Sequence, residues 1–242
     1  MHNRVQSQVL FYVLMTTLLL AFSIGCLLFA SWLRYDTGRN LYTFLRWDMF
    51  LAWVPLIVMG AFIMMQRIDV IKGTVLRKLL SLLIFAVWLA FYPNSAYLVT
   101  DALHVYIHYK IEPGVRFAHE LEFWLHHLLF LFAALIGLAL GSYSLYILHE
   151  RLNERWNKVF NWSMIVAILL LSSIGIYIGR FIRWNSWDLV LQPITIVTDS
   201  VEAMTTEANA PLFAGFTVLF FLLQLLSYML FYVAGQYGKN KQ

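Results

Sequence analysis

Asp101, His104 and His108 stand at i, i+3 and i+7, a spacing that puts three side chains on one helical face. An aspartate and a histidine so placed can pass a proton to or from a bound group, which makes Asp101 and His104 the candidate catalytic pair. The Asp-His-His set also has acceptable spacing for a metal ion. Structural hydrogen bonding would use the same residues equally well, and no metal is assigned on spacing alone. A second stretch reads Gly179-Arg180-Phe181-Ile182-Arg183-Trp184-Asn185-Ser186-Trp187-Asp188. Three uses fit its arginines. Arg180 and Arg183 can snorkel to lipid phosphates between interfacial tryptophans. They can pair internally, with Asp101 or Asp48 as partner. Or they can hold an anionic ligand or lipid headgroup together with Asn185, since a planar guanidinium suits bidentate binding of phosphate or carboxylate. Asp48, Asn94, Tyr97, Glu122, Trp187 and Asp188 are read as the polar network around this site.

Other chemistries find no support. Ser95 and Ser186 lack a base and an acid at nucleophile spacing, and no Gly-x-Ser-x-Gly elbow occurs. No phosphate-cradling glycine loop or dinucleotide fingerprint is present, so the sequence specifies no cofactor. The single cysteine, Cys26, rules out an intramolecular disulfide and a cysteine-based metal site.

The elements that must position these residues follow from composition. The 242-residue chain is 61% hydrophobic and 12% charged, with a mean hydropathy of +0.71. A soluble domain carries about 25% charged residues. Too little polar surface remains to cover a water-soluble globule, and a lipid bilayer is the expected solvent. The net charge of +4 comes without any lysine/arginine run, which argues against a nucleic-acid partner. No charged residue lies between Arg4 and Arg34. That run far exceeds a signal-peptide core of ~7–15 residues and is expected to be a retained membrane helix.

Six uncharged runs are long enough to span, given that ~17–25 apolar residues are needed. They are 5–33, 49–66, 79–100, 123–149, 159–179 and 208–238. Inside lipid the backbone must satisfy its own hydrogen bonds, so these runs predict helices, at about 9–32, 49–66, 79–99, 123–148, 159–180 and 212–235. The expected fold is an all-α integral membrane protein, a bundle of six transmembrane helices forming a single membrane domain over 1–242. With the N-terminus inside, ten lysines and arginines fall on the inner side and seven on the outer. That bias predicts both termini cytoplasmic. Every polar group named above then gathers at the extracytoplasmic end.

Three local features bear on that end. Pro93 removes a backbone donor inside the third run, which predicts a break or a kink there. Pro55 and Gly60 predict a kink in the second helix. Gly137 and Gly141, with Ala133 in register, predict a close-packing face on the fourth helix, and Ser172, Ser173, Gly175 and Gly179 add small residues to the fifth. The uncharged run 189–198 is too short to span and predicts an interfacial or re-entrant segment.

Two strings carry a resemblance to a known family. Phe91-Tyr92-Pro93-Asn94-Ser95-Ala96-Tyr97-Leu98-Val99-Thr100-Asp101, with His104, resembles the first signature of the bacterial membrane-protein family called domain of unknown function 1361. The Gly179–Asp188 stretch resembles its second. The resemblance covers roughly the second helix through the loop after the fifth. One departure stands at the start of the fourth helix, where Glu122-Phe123-Trp124-Leu125-His126 replaces an expected aromatic-aspartate pair. The resemblance implies a multi-pass protein of the bacterial cytoplasmic (inner) membrane and supplies no reaction.

Three functions remain open at this point. One is a membrane enzyme acting on a lipid or envelope precursor, motivated by an acid, a base and two arginines beside an apolar flank. The others are a small-solute transporter and a non-catalytic membrane assembly or partner protein. The sequence does not specify an oligomeric state.

Overall fold

A computed structural model describes residues 2–108 and 119–240. Among them six helices are long and apolar enough to cross a membrane, and no strand occurs. With this composition they point to a multi-pass membrane protein. The long helices are α1 (His2–Thr37), α2 (Leu45–Gln66), α3 (Val75–Phe91), α6 (Leu121–Asn153), α7 (Lys158–Tyr177) and α10 (Ala210–Asn240). Short helices fill the gaps: α4 (Pro93–Tyr97), α5 (His104–His108), α8 (Asp188–Leu191) and α9 (Pro193–Thr205).

Helix α6 is the axis of the bundle, packing against α1, α2, α4, α7 and α10. It is buried all round from Leu140 to His149, exposes Leu128, Leu131 and Leu135 nearer its start, and buries Phe130, Leu129, Leu140 and Tyr143. The outer helices turn leucine, valine and phenylalanine side chains both inward and outward; Leu14, Leu28, Leu82, Leu170 and Leu230 are all exposed. Short polar turns join the helices at the end remote from α4. Thr74 caps α3 by accepting from the Arg77 amide at 3.3 Å, and Asn157 caps α7 by accepting from the Phe160 amide at 2.8 Å.

Two of the long helices change form at the α4 end. The third apolar run stops at Phe91, restarts at Pro93 as α4, tightens into a 3-10 turn over Thr100–Leu103 and continues as α5. Proline sits at the first position of α4, where its missing N–H costs nothing. α7 passes into a π turn, Ile178–Ile182, closed by the Arg183 amide on the Ile178 carbonyl at 2.9 Å. Arg183 then takes the left-handed conformation, φ +69°. Such a backbone costs a non-glycine residue of the order of 1–2 kcal/mol. The run after it is helical, as α8 and α9, with Ile194 and Val197 exposed and Ile196, Ser200 and Ala203 buried. That is one apolar face held by the bundle and another left facing out. α2, by contrast, continues unbroken through Pro55.

Candidate functional site

The site begins with glycine. α4 is wedged between α6 and α7, and glycine stands on both walls. A Cβ at Gly137 would overlap the Ser95 carbonyl oxygen, and one at Gly141 would lie 3.2 Å from the Ser95 Cβ. On α7, a Cβ at Gly175 would lie 2.9 Å from the Pro93 ring, and one at Gly179 3.2 Å from the Tyr97 ring. α2 closes the slot, because Ser95 Oγ donates to the Ala52 carbonyl at 3.0 Å. A segment of five residues, too short to be stable alone, is thereby held rigidly by three helices.

This seating brings the two sequence strings together. Asn94 Nδ2 donates to Ser186 Oγ at 2.9 Å and to the Phe91 carbonyl at 3.0 Å, just before the proline break. Arg180 reaches across from the π turn. Its Nη2 donates to the Thr100 carbonyl at 2.7 Å, and its Nη1 lies 3.7 Å from Asp101 Oδ1. Its guanidinium also stands over the Tyr97 ring, 5.8 Å from the centroid, within cation–π range. Asp101 is 1% exposed, and among the described residues its Oδ2 has no hydrogen-bond partner. Asp48 lies within electrostatic reach of both Asp101 and Arg180. The helix ends before Arg183, so the two arginines do not share a face: Arg180 turns inward and Arg183 is exposed.

The Asn94–Ser186 bond links side chains of the two strings, and its contribution can be measured. Asn94→Ala and Ser186→Ala should each lower stability by about 0.5–1.5 kcal/mol, the range for one net hydrogen bond. The double variant should lose less than the sum, because the partners are in contact. Thermal unfolding of the four proteins in one detergent, followed by circular dichroism, gives the coupling; strictly additive losses would show that the bond carries no weight.

Beside this network lies a cavity of about 510 Å³ between α2, α3, α4, α7 and the stretch after the π turn. Its lining grades from polar to apolar. Asp48, Asn94, Tyr97, Asn185 and Ser186 line one part, with the tryptophans Trp47, Trp184 and Trp187. Leu51, Leu89, Ala90, Ile174 and Ile178 line the rest. Exposed Ala86 and Leu171 in the lining open it onto the side of the bundle. No described residue hydrogen-bonds the half-buried Asp48 carboxylate. Asn185 and Asp188 form a turn over the mouth, Asp188 Oδ2 accepting from the Asn185 backbone amide at 2.7 Å and its side-chain amide at 3.2 Å. Trp184 Nε1 donates to Asp199 of α9 at 2.8 Å and ties that helix to the rim.

The remaining candidate residues sit apart from the cavity. His104 packs edge-on against Phe44, with ring centroids 4.4 Å apart. The side chain of His108 lies outside the described residues. Glu122 pairs with Arg39 and approaches His126 Nε2 at 3.4 Å, while His126 Nδ1 is hydrogen-bonded to Tyr42 Oη at 2.6 Å. Burial pushes the Tyr42 phenol up to about 12, so it keeps its proton at neutral pH. Tyr42 also holds φ +55°, a second strained backbone at this end. Among the described residues, no three histidine, cysteine or acidic side chains stand close enough to share a metal ion.

Trp47, Trp184 and Ser186 line the cavity without having been singled out as site residues from sequence. A signal was available for each: Trp47 precedes Asp48, and the other two flank Asn185 inside the second string.

The family described as "Protein of unknown function (DUF1361)" matches residues 47–227. The match covers most of the chain, which therefore belongs to that family, and it runs from the first cavity residue, Trp47, to beyond α9. No curated protein and no solved structure matches the chain.

Proposed function

We propose that this member of the family is a membrane enzyme of the bacterial cytoplasmic membrane, that it binds an amphiphile in the α2–α3–α7 cavity, and that it acts on the amphiphile's headgroup. The lysine and arginine bias, ten on one side and seven on the other, supports an extracytoplasmic α4 end. The amphiphile is then an outer-leaflet lipid or a lipid-linked envelope precursor. One observation carries this reading: the cavity is polar at the α4 end and apolar where it opens sideways, matching a molecule with a headgroup and a chain.

The geometry redistributes the roles. Asp48 lines the cavity and has no side-chain hydrogen-bond partner among the described residues, so it is the group suited to accept or return a proton at a bound headgroup. Asp101, sealed behind it, and Arg180, bound to Asp101 and Thr100, are positioning residues. His104 lies against Phe44, outside the lining.

The test uses two variants that leave the Arg180–Asp101 pair intact. Asp48→Asn keeps the side chain's shape and removes its charge; Ala90→Phe fills the apolar part of the cavity. A general acid or base contributes about 10²–10⁴-fold, so neither variant should restore the phenotype of a deletion strain when expressed at wild-type levels. Full rescue by both would sink the proposal.

A second reading has a specific observation behind it. The Asn94–Ser186 hydrogen bond and the Arg180–Asp101 ion pair also tie the α4 segment to the end of α7, as an assembly protein with no chemistry would need. Under that reading Asp48→Asn is silent, and Arg180 variants lose function only as far as they lose folded protein. A transporter would share the interrupted helices beside the cavity; solute flux in liposomes containing the purified protein is the observation that would favour it.

A further inference from the structure

We propose that the headgroup taken by this cavity is uncharged and rich in hydroxyls, a glycosyl group on a lipid chain. The inference rests on the amphiphile reading above and names the class of headgroup.

The argument starts from charge. Among the described residues that line the cavity, Asp48 is the only formally charged one, and it is an acid. The nearest guanidinium, that of Arg180, is engaged by Asp101, the Thr100 carbonyl and the Tyr97 ring, and it does not line the space. Arg46 and Arg183 are exposed and do not line it either. A phosphate placed here would face a carboxylate across a poorly solvated gap, with no cation among the described lining residues to offset the repulsion.

Hydrogen-bond bookkeeping agrees. Asn94 places both its amide N–H groups on Phe91 and Ser186, and Asn185 places one of its two on Asp188. Both keep an amide oxygen, and Asp48 keeps two carboxylate oxygens. The polar lining therefore sets acceptors beside the hydroxyl donors of Tyr97 and Ser186 and the indole N–H donors of Trp47 and Trp187, which suits a ligand that both donates and accepts. A sugar offers several O–H donors; a phosphodiester offers none. The apolar C–H face of a sugar also suits the rings at the mouth, where Trp47 and Trp187 are about half exposed. A quaternary ammonium headgroup would be drawn to Asp48 too, but it has no N–H to donate. It is best held by a closed aromatic cage, and among the described residues Trp47 makes its ring contact with Phe50, not with Trp184 or Trp187.

The experiment titrates the full-length protein in detergent micelles with three lipids carrying identical dioleoyl chains. Their headgroups are glucosyl, phosphoglycerol and trimethylammonium, and bound lipid is counted by native mass spectrometry. The glucosyl lipid should saturate at one per chain and bind about tenfold or more tightly than the phosphoglycerol lipid, the equivalent of one charge-assisted hydrogen bond. Asp48→Asn should weaken it by about tenfold, and Asp48→Lys should reverse the order of the two. Wild-type preference for the phosphoglycerol or the trimethylammonium lipid overturns the glycosyl assignment while leaving the cavity as an amphiphile site. Saturable binding of no lipid, or binding that Ala90→Phe leaves untouched in a folded protein, overturns the amphiphile reading itself.

Discussion

Gly137→Ala, a change of one methyl group, will destabilise this protein more than any other glycine-to-alanine change in its membrane helices. The added carbon would overlap the Ser95 carbonyl oxygen, a backbone atom of α4. α4 cannot retreat, because Ser95 is hydrogen-bonded to Ala52 behind it and Pro93 abuts Gly175 on the far side. Overpacking of this kind costs about 1–3 kcal/mol and occasionally more. Gly141→Ala should cost less, since the nearest atom is the Ser95 Cβ at 3.2 Å. Gly25→Ala and Gly60→Ala meet nothing within 4 Å. Alanine is the better helix former by ~0.5–1 kcal/mol, so these two should be neutral or mildly stabilising. Unfolding the four variants in one detergent ranks them, and the account fails if Gly137→Ala melts together with Gly60→Ala. The consequence reaches the site: Asn94 and Tyr97 lie on α4, so displacing it moves two cavity residues at once.

Arg180→Met will be strongly destabilising, and Arg183→Met will not. Arg180 is the partner of a carboxylate that is 1% exposed, and removing it strands a buried charge. Breaking a buried pair from one side costs about 3–5 kcal/mol, whereas replacing both members with apolar groups is often neutral. Arg180→Met combined with Asp101→Leu should therefore recover most of what Arg180→Met loses. Arg183 is exposed, and its replacement should stay within about 0.5 kcal/mol. A chevron-free equilibrium measurement suffices: denaturation by sodium dodecyl sulfate, with helicity as the readout. If the double variant is no more stable than Arg180→Met, the pair is not what the guanidinium satisfies. If the double variant is stable yet inactive in the deletion strain, the pair positions Asp48 as well as holding the helices.

The contrast between those arginines shows how far sequence reaches. At i, i+3 in one apolar run they look alike, and a continuous helix would put them on one face. The π turn and the left-handed Arg183 separate them, where Gly179 fits against the Tyr97 ring, 82 residues away in the chain. Glu122 makes the same point. It falls at the α4 end as its place in the sequence suggests, but it pairs with Arg39 and leaves Arg180 to Asp101.

The sequence by itself determined the number and approximate limits of the six long helices, because a run without charge must bury its backbone polar groups in its own hydrogen bonds when lipid is the solvent. It also determined where the third helix is interrupted, since Pro93 has no N–H to give, and which helices carry a close-packing face, since small residues let backbones approach. Tertiary structure alone decided which polar groups meet. In a lipid environment the outward faces are as apolar as the inward ones, so no amphipathic stripe marks how each helix is rotated. That rotation lines the cavity with Asp48 and seals Asp101 against Arg180.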